Sequence, residues 1–524
     1  MPKERSDALF HLVHSLSPSE KRYFRLYASR MGGGDDKKFI VLFDAIAAQK
    51  NYDEEALLRR EKKLNPLQLS NMKMHLYGSI LKTMRLCNSS NVVDISIADL
   101  LDYARILYNK CLYKDCLRMI DKAKRLASQH NRSVLMLELL ELEKLAIRKT
   151  IAEKNEDRVL DVVERTQAVA RRIANINTFS NLSIRMNTFY VKTGFIRDKS
   201  DLEKVTDFFK KGLPAYQEKK LSFNEKIYLY DSLLGYYLFI QDFRKGHACA
   251  LKWVALFEDE PERIKDEPEF YIRALNGLLV VQNKLGLFRD FAQTHKNLVA
   301  LKRSNMFHFS RNINLNLFKA IYIHEINRHY LMGEFRSGTR IVSRLENDLN
   351  KFFPLLDQNS VLIFYYKVAC LYFGADQYKT ALHWLNRIIN TRGEDVREDL
   401  HTFARILALI SHYELGNDEL VEYNLKSLYR FLLKKGHISA YNKLILGFLK
   451  QISKNTVGKK LIRLFIGLKQ DMEALTSSRF EKRAFYYFDI ITWLRSKIEN
   501  RSMEELVKDN LVRKTSRERL KLAS

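Results

Sequence analysis

The sequence predicts an all-α protein, an α-solenoid of stacked helical hairpins with a period of about 40–47 residues, an N-terminal helical unit before it and C-terminal capping helices after it. Three observations carry that prediction. The chain has 524 residues, whereas a single core stops growing at about 250–300, so several domains or a repeat array are expected. It holds only 19 Gly and 7 Pro, about 5% of the chain against an average near 12%, too few for the frequent turns of an all-β fold. And one turn-aromatic-small pattern recurs along its middle.

The N-terminal unit comes first, residues 1–92. Ser17-Pro18-Ser19-Glu20 has the form of a capping box with Pro at the first helical position. Gly32-Gly33-Gly34 breaks the chain, and Phe39, Leu42, Phe43 and Ile46 mark the next helix by their 3–4 spacing. Asp53 opens a short charged helix that Asn65-Pro66 ends. A long helix then runs to about Asn88 with Leu69, Met72, Leu76, Ile80 and Met84 inward. Ser89-Ser90-Asn91 reads as a domain boundary.

Residues 93–450 form the array. A helix ends in a short turn, an aromatic follows two residues later, and a small or apolar residue three after that. The instances are Cys111/Tyr113/Cys116, Gln241/Phe243/Gly246, Gly286/Phe288/Phe291, Gly333/Phe335/Gly338, Asp376/Tyr378/Ala381 and Gly416/Asp418/Val421. The last five turns are 45, 47, 43 and 40 residues apart, and helical pairs at roughly 134–172 and 178–218 fill the interval after the first. A turn residue in the left-handed region lets the chain leave the first helix. The aromatic closes the hairpin, and neighbouring hairpins must stack because none can bury its apolar face alone.

Two units carry a resemblance to tetratricopeptide repeats: Leu278, Gly286, Phe288, Phe291 and Leu298 in one, Ala369, Tyr372, Tyr378, Ala381 and Leu385 in the other. The segment Leu16 to Phe24 likewise resembles that of bacterial proteins bearing such arrays. The units here are longer than the family's 34 residues, and Asp418, Phe291 and Val421 depart from its pattern. The resemblance implies that the first helix of each hairpin lines a binding groove. The matching positions are Arg273, Asn276, Asn283, Lys284, Asn327 and Tyr330, with Arg105, Tyr108 and Asn109 in an earlier unit. Such side chains suit a peptide backbone or an acidic side chain. Later positions (Tyr366, Phe373, Ile406, Tyr413) are apolar and suit a hydrophobic anchor or more core.

Residues 451–500 read as capping helices, one marked by Leu461, Leu464, Phe465 and Leu468, another by Phe485, Phe488, Ile491, Leu494 and Ile498. Residues 501–524 read as a basic, mobile tail.

Charge and chemistry narrow the function. Net charge is +27, which favours anionic partners, but it is spread along the chain. Residues 1–95 hold 16 Lys/Arg and 11 Asp/Glu, and residues 453–524 hold 17 and 9. A weak helix-turn-helix pattern in the first unit offers Lys73, His75 and Lys82 to DNA. The five cysteines form no Cys-x-x-Cys pair, which points to reduced, mostly buried thiols and a cytoplasmic setting. His324 and His329 are five apart, about 140° around a helix, and do not share a metal. No nucleophile elbow or phosphate loop is present, and no apolar run is long enough to insert into a membrane. The sequence thus predicts a non-catalytic, cofactor-free scaffold for a protein or peptide partner. Nucleic acid is the second choice, and the oligomeric state stays open.

Overall fold

A computed structural model describes residues 8–31, 36–61, 66–89, 92–150, 156–193, 196–304, 310–391, 397–434, 438–452, 458–478 and 480–523. The predicted break at Gly32–Gly34, Asn65, and Ser90-Asn91 of the predicted boundary lie outside them. The fold is all-α, with no strand among the described residues. None of its helices there is long and apolar enough to cross a membrane. The chain divides into two compact units, residues 1–173 and 174–524.

The first unit contains α1 (Ala8–Ser15), α2 (Pro18–Met31), α3 (Asp36–Ala48), α4 (Glu54–Arg60), α5 (Leu69–Asn88), α6 (Val93–Asn109), α7 (Tyr113–Gln129), α8 (Ser133–Thr150) and the first half of α9 (Glu156–Thr193). The capping box forms as its sequence implies. Ser17 N–H reaches Glu20 Oε2 at 2.7 Å, and Glu20 N–H reaches Ser17 Oγ at 3.3 Å. Asp53 caps α4 through Ala56 N–H. One core gathers Leu9, Val13, Phe24, Leu42, Phe43, Ile46, Leu76 and Ile80. A second lies under α6, α7 and α8 around Ile97, Ile120, Leu139 and Ala146. Beside it the fully buried Glu143 carboxylate takes Lys124 Nζ at 2.6 Å and Arg158 Nε at 2.8 Å.

The second unit runs through the rest of α9, α10 (Lys199–Gly212), α11 (Phe223–Phe239), α12 (Phe243–Glu258), α13 (Arg263–Asp266), α14 (Pro268–Leu285), α15 (Phe288–Arg303), α16 (Arg311–Leu331), α17 (Phe335–Phe352), α18 (Gln358–Gly374), α19 (Tyr378–Ile389), α20 (Glu398–Glu414), α21 (Asp418–Lys434), α22 (Ala440–Ile452), α23 (Lys459–Leu475), α24 (Ile490–Glu499) and α25 (Met503–Ala523). Each helix from α14 to α25 packs on the next in order. The first members of successive hairpins also touch: α11 on α14, α14 on α16, α16 on α18, α18 on α20.

The turns have one construction. Cys111, Gln241, Gly286, Gly333, Asp376 and Gly416 all lie at φ between 62° and 70°. At each, the turn residue's N–H reaches back three residues, and the next N–H reaches back five. At Gly286 these are Gly286 N to Asn283 O at 3.2 Å and Leu287 N to Gln282 O at 3.0 Å. This is the paired-bond closure of a helix C-terminus. Asn131, at φ 53°, makes a seventh such turn that the sequence pattern does not reveal.

Three expectations are corrected. The pairs expected at 134–172 and 178–218 imply a turn near residue 175, but α9 runs through it unbroken. No Gly or Pro interrupts residues 156–193, and the half-buried Asn175 bonds the buried Glu225 Oε1 at 2.7 Å. The helix expected over Phe485–Ile498 is split. A 3₁₀ turn, Glu481–Tyr486, precedes α24, because Asp489 accepts from Thr492 N–H at 3.1 Å and restarts the chain as an N-cap. The tail expected to be mobile is helical: Ser502 and Glu505 form a capping box at 3.2 and 3.3 Å, and Met503 and Leu506 are buried.

Candidate peptide-binding face

The first helices of the hairpins in the second unit present their side chains to a short stretch of the same chain, Tyr486 to Asp489. Its main chain is held at three points. Lys284 Nζ donates to Tyr486 O at 3.3 Å. Cys370 Sγ lies 3.9 Å from Tyr487 O. Asp489 N–H donates to Tyr330 Oη at 3.3 Å. One bonded group on each of α14, α18 and α16 therefore reads the peptide backbone rather than a side chain.

The side chains of the stretch are seated separately. Tyr486 packs edge-on to Phe243 at 5.3 Å, with the Lys284 ammonium 4.7 Å from its ring centroid. Tyr487 stacks on Phe403 at 4.3 Å and 13°, and its hydroxyl bonds the Asp399 carboxylate. Asp399 in turn receives Arg397 at 2.9 and 2.7 Å, a two-pronged ion pair buried on both sides. Phe488 meets Phe373 edge-on at 5.0 Å. Beyond it, Trp493 Nε1 donates to Glu414 at 2.6 Å. A cavity of about 60 Å³ beside the stretch, lined in part by Arg197, Asp399, Asn442 and Tyr487, has room for a few waters.

Burial dominates the electrostatics of the site. Burial pushes the Lys284 ammonium well below its ordinary pKa, with Lys367 and Arg397 adding repulsion. Burial, and after it the Arg397 charge, also lowers Lys367. His324 is pushed down to about 3 by burial, then by His295 and Lys367. Its neutral ring bridges two predicted positions, with Nε2 3.0 Å from Asn276 Oδ1 and Nδ1 3.4 Å from Asn327 Nδ2. These partners select the tautomer with the proton on Nε2. His329 instead faces Glu325 and Glu334 at 3.3 and 3.0 Å, away from His324.

Of the residues expected to line the groove, Lys284 and Tyr330 touch the stretch, whereas Asn276 and Asn327 bond His324 instead. Arg273 is exposed and pairs with Asp231 at 3.1 Å. Asn283 is half-buried at the end of α14. Arg105, Tyr108 and Asn109 belong to the first unit. There Arg105 pairs with Asp102 and Glu138, Tyr108 packs on Tyr113, and Asn109 is exposed. Tyr366 and Phe373 serve the seated stretch, Tyr413 meets Trp493, and Ile406 is core.

The sequence pattern missed Arg397, Asp399, Cys370 and Phe403, and it missed Tyr486 to Asp489 as an occupant. The available signal was the aromatic pair Tyr486-Tyr487, which falls between the stripe positions Phe485 and Phe488. Comparison with family models, with curated proteins and with solved structures finds no match to this chain.

Proposed function

We propose that this chain is a non-catalytic binding protein. Its second unit is a tetratricopeptide-like stack of hairpins whose first helices take an extended, aromatic peptide segment, ending in an acid, from a protein partner. The observation that carries the reading is the hold on the main chain of Tyr486, Tyr487 and Asp489 by Lys284, Cys370 and Tyr330. Side chains that bond a backbone accept many sequences, and aromatic seats beside them then supply selection. In this state the chain's own segment fills the face, so a partner must compete with it.

That competition has a scale. A tethered segment acts at an effective concentration of about millimolar. A free peptide at micromolar concentration is therefore outcompeted roughly a thousandfold. The test is fluorescence anisotropy of a labelled peptide spanning residues 480–490 against the intact chain and against Tyr487→Ala/Phe488→Ala. The wild type should not bind it, and the variant should bind with a dissociation constant on the order of micromolar. A folded variant that ignores the peptide ends this reading.

The nucleic-acid alternative rests on the net charge of +27 and on the weak helix-turn-helix pattern of the first unit. Lys73, one of the side chains offered to DNA, is turned inward to Glu54 and over the Tyr52 ring.

A further inference from the structure

Helix α5 buries Leu69, Leu76, Ile80 and Thr83 toward α1, α2 and α3. At 100° per residue these occupy a strip about 60° wide. The rest of such a helix's surface is ordinarily polar. Here the flank that begins about 60° round from the buried strip carries Tyr77 at 37% exposure, Leu81 at 46% and Met74 at 68%. Their spacing aligns them in a second strip, again about 60° wide. Leu67, one residue before the N-cap, is 92% exposed.

Gly78 borders that strip. A Cβ placed there would meet nothing within 4 Å. Nothing among the described residues asks for glycine, yet glycine weakens a helix interior relative to alanine. What glycine does allow is the close approach of another backbone from outside. The helix also has a charge sense: it contains Lys73, His75, Lys82 and Arg85 and no Asp or Glu. Lys73 is taken by Glu54, and Arg85 by Asp99 and Asp102. Lys82 and His75 lie beyond Gly78, about 80° and 100° round from Met74, and are exposed, Lys82 without an ion pair among the described residues.

We infer that the outer face of α5 docks an amphipathic helix of another protein, its apolar side over Met74, Tyr77 and Leu81, its backbone near Gly78, and carboxylates along its flank toward Lys82 and His75. A second copy of this chain fits less well. Antiparallel pairing about Gly78 sets Met74 against Lys82 and Leu81 against His75, with no acid to meet either. Duplex DNA fits less well too, because the centre of the face is apolar.

The probes are two labelled helical peptides of about 18 residues, five turns. Both have a Leu/Ala stripe, one flanked by Glu and the other by Lys, and each is titrated by anisotropy against the full chain. The Glu peptide should bind about tenfold or more tighter than the Lys peptide. The charge-neutral variant Met74→Gln/Leu81→Gln, and separately Gly78→Leu, should each weaken it about tenfold. All three positions face solvent, and circular dichroism verifies that the variants keep their helix. Absence of binding, equal binding of the two peptides, or unchanged affinity in Met74→Gln/Leu81→Gln overturns the inference. So does a sedimenting dimer that Leu81→Gln dissociates, which would assign the face to a second copy. Duplex-DNA binding lost in Lys82→Gln would overturn it in favour of nucleic acid.

Discussion

The Lys284 ammonium holds Tyr486 twice, by a 3.3 Å hydrogen bond to its carbonyl and by a 4.7 Å approach to its ring. Burial, with Lys367 and Arg397 behind it, depresses the pKa of that ammonium. The folded value thus lies below the unfolded one. Between the two, the unfolded chain binds more protons, so this group's contribution to stability rises as pH rises toward 10.5. Urea unfolding of wild type and Lys284→Met from pH 7 to 10 should show the wild type gaining relative to the variant. A constant difference would refute the depressed ammonium.

Asp399 is the shared acceptor of Arg397 and Tyr487. Asp399→Asn leaves a buried guanidinium without its counter-charge, a loss of about 3–5 kcal/mol. Tyr487→Phe removes one hydrogen bond and keeps the stack on Phe403, so about 1–2 kcal/mol is expected. The order of the two midpoints in chemical denaturation checks the assignment.

The hairpin turns offer a matched comparison. Gln241 and Asp376 hold φ near 62° without being glycine, so Gln241→Gly and Asp376→Gly should each stabilise by up to about 1 kcal/mol. Gly333→Ala and Gly416→Ala run the other way. Above Gly416 the space is open, whereas a Cβ at Gly333 would meet Glu504 O and Val507 Cβ at 3.0 Å. Gly416→Ala should cost about 1 kcal/mol and Gly333→Ala about 2–3 kcal/mol. Equal costs would contradict the placement of α25.

His324 is neutral when folded, its pKa held at about 3 by burial and the nearby His295 and Lys367, against 6.5 as the ordinary value. Below pH 6.5 the unfolded chain takes up a proton that the folded chain refuses. This one residue should therefore remove about 1.4 kcal/mol of stability per pH unit on descending from 6.5 toward 3. His324→Gln keeps one hydrogen bond at a time and should flatten that slope in pH-dependent urea melts.

Local signals were the legible ones. Each predicted hairpin turn needed one left-handed residue and a short connection, with an aromatic at every turn but that at Gly416, all within a few positions, and chain chemistry at that range is readable. Helix existence followed from 3–4 spacing in the same way. The continuity of α9 was lost because a helix with no Gly or Pro still weakens in pattern where its side chains turn polar, as around Asn175. The seat of Tyr486 to Asp489 was lost for a deeper reason: its partners Phe243, Lys284, Tyr330, Cys370 and Phe403 are spread over five helices. Lys284 and Tyr330 were identified from their place in the hairpin, but nothing near them in the sequence names what they hold.

The seated stretch also changes how the second unit must be made. Contacts between neighbouring hairpins are short in sequence, so an array alone can zip up in order of synthesis. The bonds to Tyr486, Tyr487 and Asp489 instead close loops of 202, 117 and 159 residues. A ribosome delivers that stretch after every hairpin it touches. Until then those helices emerge with Phe243, Tyr330, Phe373 and Phe403 uncovered, a nascent chain that invites chaperones. Once the stretch arrives, hairpins that otherwise answer only to their neighbours are bound into a single cooperative melting event.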